Sequence, residues 1–214
     1  MPRHSSDHRA FAHTPKAGRE PPQPFVYMLP LTDGRGFKLG RTENLLHRVT
    51  AFSIRYFEDF NLHDAPIARC QTKAQTVALE KMLKRLAAVR IEPPEWIVWS
   101  ARCPTEWFTA TAADSVRQCL ANIETDPDFS GIGLDTAYDE IKRQLIANQE
   151  HMTAWAMATW GEIRDRAAAR GGYHVSTLLG RQLQASLDAY CRFGMPLLDG
   201  WEPEEGFVAC NRTH

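Results

Sequence analysis

The stretch Phe25 to Gly40, FVYMLPLTDGRGFKLG, decides how the rest of the chain is read. Two apolar runs, Phe25–Leu31 and Phe37–Leu39, flank the segment Thr32-Asp33-Gly34-Arg35-Gly36. Glycine tolerates positive φ and aspartate bonds its own backbone, so this segment reads as a turn. Apolar runs on either side of such a turn predict a β-hairpin. Two polar side chains interrupt the runs, Tyr27 in the first and Lys38 in the second. Across an antiparallel pair such residues lie close enough to interact. A phenol and an ammonium held together form a distinctive chemical unit, and the remaining elements are read as its surroundings.

After Gly40 come Arg41 and Thr42, and Asn44 is a candidate N-cap for a helix from Leu45 to about Tyr56. Leu45, Val49 and Phe52 give that helix an apolar side. Arg48 falls beside it rather than opposite, so it either lines a site or snorkels its head to water. A loop over 57–66 and a third strand over Ile67–Gln71 follow. Thr72-Lys73-Ala74-Gln75 has the form of a capping box, opening a helix to about Val89 with Leu79, Met82, Leu83, Leu86 and Val89 as its core stripe. Glu80 lies on the flank of that stripe with Thr76 and Ala87. On pattern alone it is better read as a surface i,i+4 pair with Lys84 than as a ligand. Glu92-Pro93-Pro94-Glu95 breaks the chain, Trp96–Trp99 reads as a short strand or lip of the core, and Ala112–Ile123 reads as a closing helix.

Residues 25–123 therefore form one α+β unit, a small sandwich with a three-stranded antiparallel sheet flanked by helices. Before it, residues 1–24 are polar and proline-rich and read as a disordered tail. His4, His8 and His13 in that tail are read as solvated rather than as metal ligands. After it, residues 124–135, with Pro127, Gly131 and Gly133, read as a linker. Residues 136–197 read as a C-terminal α-helical hairpin: Asp135 caps the first helix, Gly171-Gly172 ends it, and Ser176 opens the second. Two such helices cannot bury their own faces, so they dock on the first unit or form a homo-oligomer. Residues 198–214 read as a loose tail.

The formal net charge of -1 conceals an asymmetry. Residues 25–120 carry 13 Lys+Arg against 10 Asp+Glu, whereas residues 121–214 carry 8 against 14. The middle permits nucleic-acid contact and the acidic third opposes it. Five cysteines without Cys-x-x-Cys spacing argue against zinc ribbons and a disulfide framework, and for reduced thiols. With no run of about 18 apolar residues and no apolar leader, a cytoplasmic protein without a membrane partner is expected.

The residues now assembled resemble the GIY-YIG endonuclease superfamily. Phe25-Val26-Tyr27 occupies the first tripeptide and Lys38-Leu39-Gly40 the second, with Arg41-Thr42 following. Arg48 and Glu80 fall where the family's helix arginine and metal-binding glutamate fall. Glu106-Trp107-Phe108 resembles the close of the phage-associated branch, whose second tripeptide also commonly begins with Lys. The resemblance covers roughly Phe25 to Leu120 and shifts Arg48 and Glu80 toward functional roles. It implies a metal-dependent endonuclease acting on DNA, with RNA left open. One Mg²⁺ or Mn²⁺ ion would sit on Glu80. Tyr27 would be the general base, Lys38 its activator and Arg48 the phosphate clamp. Arg41 and His47 are secondary candidates for substrate contact. The alternative is a nucleic-acid-binding module that keeps the fold without the chemistry, its helical hairpin serving for oligomerisation or partner docking.

Overall fold

The computed structural model describes residues 24–97, 106–172 and 178–197. Phe25–Pro30 (β1) and Gly36–Thr42 (β2) form the expected antiparallel hairpin. Its turn is fixed locally. Gly34 adopts φ +72°, Asp33 accepts a hydrogen bond from the Arg35 N–H at 3.1 Å, and the Leu31 N–H donates to the Gly36 carbonyl at 2.9 Å. The register pairs Tyr27 with Gly40 and Leu29 with Lys38.

The sheet is larger than the three strands expected. Five antiparallel strands run in the order β4-β2-β1-β3-β5, where β3 is Pro66–Arg69, β4 is Trp107–Thr109 and β5 is Gly133–Thr136. β4 pairs with Gly36–Lys38 of β2, and β5 pairs along the whole of β3. The stretch read as a linker thus supplies an edge strand. Its glycines punctuate the approach to β5, and the pairing itself is dictated by β3, far away in sequence.

Alternation divides the sheet into two faces. Val26, Met28, Phe37, Leu39, Ala68 and Phe108 turn toward one core, closed by Leu79, Leu83 and Ala87 of α3 (Lys73–Ala87) and Val116 and Leu120 of α4 (Ala113–Ala121). On the other face, with Tyr27 and Lys38, Trp107 lies 6.2 Å from Phe52 and 6.4 Å from Phe60 between ring centroids. Phe52 ends α1 (Leu45–Phe52), which Asn44 caps through its side chain to the His47 N–H at 2.9 Å. α1 stops short of Tyr56, which instead begins the single turn α2 (Tyr56–Asp59) inside the expected loop.

Other expectations shift. The α3 stripe ends early: Leu86 is exposed in the last turn of the helix, and Val89 is exposed beyond its end at Ala87, where its carbonyl accepts the Thr109 N–H at 3.1 Å beside β4. Thr72 caps α3 as read, whereas Gln75 reaches back to the Gln71 N–H. Trp96 and Ile97 lie in a turn closed by the Ile97 N–H on the Pro94 carbonyl rather than in a strand, at the lip of the core, with Ile97 buried and the Trp96 ring 5.6 Å from that of Phe60; residues 98 and 99 fall outside the described residues. So do the readings of both tails, apart from Pro24, and of Ser176 as a helix start.

The chain divides into two compact units between Ile141 and Lys142, within α5 (Ala137–Arg170). Thr136 rather than Asp135 caps α5, accepting the Asp139 N–H at 3.1 Å. Asp135 is drawn instead to Arg69, at 2.8 Å. In the second unit, α6 (Leu178–Arg192) runs back along α5: the Tyr190 hydroxyl donates to the Leu145 carbonyl at 3.0 Å, and the Thr153 hydroxyl to that of Leu197 at 3.2 Å. Gly171, at φ +76°, ends α5 as expected. Among the described residues no helix is long and apolar enough to cross a membrane.

Candidate active site

Tyr27 and Gly40 form the base of the site. They are direct cross-strand partners, so their side-chain positions fall on the same face. The ring of Tyr27 lies over the space a Gly40 side chain would fill. A Cβ at residue 40 would stand 2.4 Å from the phenol oxygen and 2.7 Å from Cζ. Only glycine permits this packing, and the hydroxyl end of the ring is thereby directed from β1 toward the outer edge of β2. β4 pairs with β2 only from Gly36 to Lys38; beyond it Leu39 and Gly40 stay buried with the phenol, and β2 reaches solvent at Arg41.

Arg48 reaches the same point from α1. Its Nε donates to the Tyr27 oxygen at 3.2 Å, and its guanidinium lies 5.2 Å from the Phe52 centroid. The two readings of Arg48 merge: the side chain packs on an apolar ring and still delivers its charge to the phenol. Burial pushes the Tyr27 phenol up to about 12; the charge and hydrogen bond of Arg48 oppose this, while the charges of Glu106 and Glu80 reinforce it. Tyr27, Arg48, Glu80 and Glu106 therefore share one electrostatic neighbourhood.

Lys38 is fully buried, with its ammonium 5.3 Å from the Phe52 centroid and 5.2 Å from that of Trp107. A buried ammonium requires a counter-charge. Glu106 supplies it, accepting a hydrogen bond from Lys38 Nζ, and lies also 3.3 Å from Lys84 Nζ. Burial raises the Glu106 carboxyl, but Lys38 and then Lys84 outweigh that and leave it below the ordinary carboxylate value. Arg48 lowers the phenol by its charge and hydrogen bond, and Lys38 lowers Glu106, whose charge raises the phenol.

Glu80 projects from α3 with its side chain 12% exposed. One oxygen lies 2.9 Å from Lys84 Nζ, the expected i,i+4 pair, and the other 3.4 Å from Arg41 Nε. An unbroken ion chain results: Arg41, Glu80, Lys84, Glu106, Lys38. Arg41 is thus brought into the site. His47 is exposed on α1, where its N–H donates to the Asn44 side chain and its carbonyl accepts from the Thr50 hydroxyl. Glu106 is the site residue that the sequence reading missed as a functional candidate. A lysine inside a strand is the signal that a carboxylate must lie nearby. Locating it required the pairing of Lys38 with Trp107, which sequence spacing does not reveal.

Among the described residues, no group of three or more His, Cys, Asp or Glu is gathered as a metal cage. The donor set, Glu80 with Glu106 on the same ion chain, fits a hard divalent ion that keeps most of its waters and takes one or two carboxylates. It does not fit a soft or fully enclosed metal, for which Cys and His ligands would be needed.

No protein-family model matches the chain, and no curated protein or solved structure matches it significantly.

Proposed function

We propose that the protein is a GIY-YIG-type phosphodiesterase, a metal-dependent endonuclease that hydrolyses DNA. The observation that carries this reading is the Tyr27 phenol lying over Gly40, hydrogen-bonded by Arg48 and within the field of Glu80 and Glu106. Phosphodiester hydrolysis needs a base for water, positive charge around phosphorus and a route for the leaving oxygen's proton. A phenol from β1 with Arg48 of α1 beside it, and Arg41 of β2 paired with Glu80 of α3, support the first two of these roles.

In the free protein Tyr27 is a phenol near neutral pH. To act as a base it needs relief from the burial that chiefly holds it protonated, and cancelling the smaller raising charges of Glu106 and Glu80 works in the same direction. Lys38 and Lys84 already offset Glu106. Glu80 would hold a divalent ion, which when bound would supply Lewis-acid relief of charge at the phosphate and at the leaving oxygen. Arg48, already on the phenol, offers a planar fork suited to a phosphate oxygen. Arg41, exposed at the end of β2 and paired with Glu80, would be placed to meet the DNA backbone with the ion held on Glu80.

Glu80→Ala is expected to abolish Mg²⁺-dependent cleavage while circular dichroism and unfolding remain close to wild type. Full cleavage by that variant would remove the assignment. A second reading, a DNA-binding module without chemistry, is favoured by two features: both Glu80 oxygens are engaged, and the phenol is held far above neutrality. DNA retarded but left uncut with and without Mg²⁺ would select it.

A further inference from the structure

Beside the ion chain, a surface hollow of about 340 Å³ opens between the end of β2 and the first turns of α3. Pro24 and Val77 give it apolar walls, while Arg41, Lys73 and Glu43 bring charge to it. Arg41 belongs to both places, since it lines the hollow and contacts Glu80. Thr76, on the wall, sits one helical turn before Glu80. Whatever fills the hollow is therefore next to the phosphate that the candidate site would cut.

We propose that the hollow receives one unpaired nucleotide of a DNA strand, immediately beside the cleaved phosphate. This rests on the endonuclease reading and adds the substrate class: DNA with a single-stranded stretch at the cut. The size decides against a duplex. A volume of 340 Å³ equals a cube of about 7 Å edge, whereas the major groove of B-DNA alone is about 12 Å wide. It suits a base and sugar taken out of the stack, which seat on apolar walls and read through edge hydrogen bonds. The charges suit the same ligand. Lys73 is 84% exposed, and its 2.9 Å pair with Glu43 is a surface pair of little net strength. It opens readily toward a phosphate, leaving the Glu43 carboxylate to accept from a base amino group. Arg41 holds the neighbouring phosphate on the active-site side. Cleavage of fully paired DNA would require extruding that nucleotide, at the cost of unpairing it.

The test is equilibrium binding of the full chain, in chelator, to fluorescent 30-mers: a complete duplex and the same duplex with a five-nucleotide gap. The gapped DNA is expected to bind about tenfold tighter. Val77→Trp fills the hollow from an exposed helix position, 47% accessible, and is expected to bring the ratio near one. Lys73→Glu should weaken gapped binding and flatten its salt dependence by about one phosphate contact. Equal affinity of wild type for the two DNAs, or a ratio unmoved by Val77→Trp, overturns the proposal even if both DNAs are cut with Mg²⁺. A selective, Val77-sensitive ratio without cleavage upholds the hollow and removes the endonuclease reading. Displacement of the strand by equimolar deoxynucleoside monophosphate would assign a small-molecule site and overturn it. Binding to neither DNA overturns both readings.

Discussion

Substituting Gly40 by alanine tests the geometry on which the site is built. The added Cβ would lie 2.4 Å from the Tyr27 oxygen, 2.7 Å from Cζ and 3.2 Å from Cε2. Non-bonded carbon contacts settle at about 3.5 Å or beyond, so the ring must retreat by about 1 Å. Tyr27 is fully buried, and retreat drives it into packed neighbours. Overpacking of this kind costs about 1–3 kcal/mol. Replacing a strand glycine returns about 0.5–1 kcal/mol of backbone entropy. The net change is a loss of up to about 2.5 kcal/mol. The same retreat stretches the 3.2 Å bond from Arg48 past hydrogen-bonding range. A reacting group misplaced by about 1 Å loses about 100-fold in rate. Urea unfolding followed by tryptophan fluorescence measures the first effect, and plasmid nicking measures the second. Gly133→Ala, where an added Cβ meets nothing within 4 Å, is the control. If Gly40→Ala matches wild type in both assays, the phenol does not lie over residue 40 and the reasoning fails.

Four further outcomes are expected. In a titration followed at 295 nm, Tyr27→Phe should remove a tyrosine that ionises near pH 12; its raised value means the stability it contributes is complete below about pH 10 and declines as pH rises through 12. Lys38→Met should destabilise by about 3 kcal/mol, the low end for breaking a buried pair because Lys84 still faces Glu106, and Lys38→Met with Glu106→Gln should recover much of that loss. Because the Glu106 carboxyl is depressed, its contribution is present above about pH 4.5 and lost on further acidification, so Glu106→Gln should show a shallower acid limb than wild type. Gly161→Ala, within α5 and with open space around its Cα, should stabilise the helix by up to about 1 kcal/mol in thermal unfolding.

What the sequence made legible was local. The hairpin follows from turn chemistry within five residues, and the caps at Asn44 and Thr72 follow from side chains three positions from their targets. What it concealed was pairing between distant segments. β5 is hidden behind Gly131 and Gly133, which look like linker residues until β3 is recognised as their partner. A truncation after Ile123, sensible on the linker reading, would strip that edge strand from the sheet. Asp135 looks like a helix cap until Arg69 competes for it, Leu86 keeps the periodicity yet lies exposed in the last turn of α3, and Val89 falls beyond the helix. The site divides the same way. Tyr27, Arg48 and Glu80 were legible through the ordered motif, whereas Glu106 was visible only once Lys38 was known to be buried beside β4.

The most direct test of the central claim is cleavage of supercoiled plasmid with Mg²⁺ by wild type and Tyr27→Phe, side by side. The variant keeps the buried ring and loses one oxygen. Wild type is expected to nick or linearise the plasmid, and the variant to do so at least about 100-fold more slowly with DNA affinity in chelator unchanged. Equal cleavage by the two proteins, or none by wild type, would contradict the account.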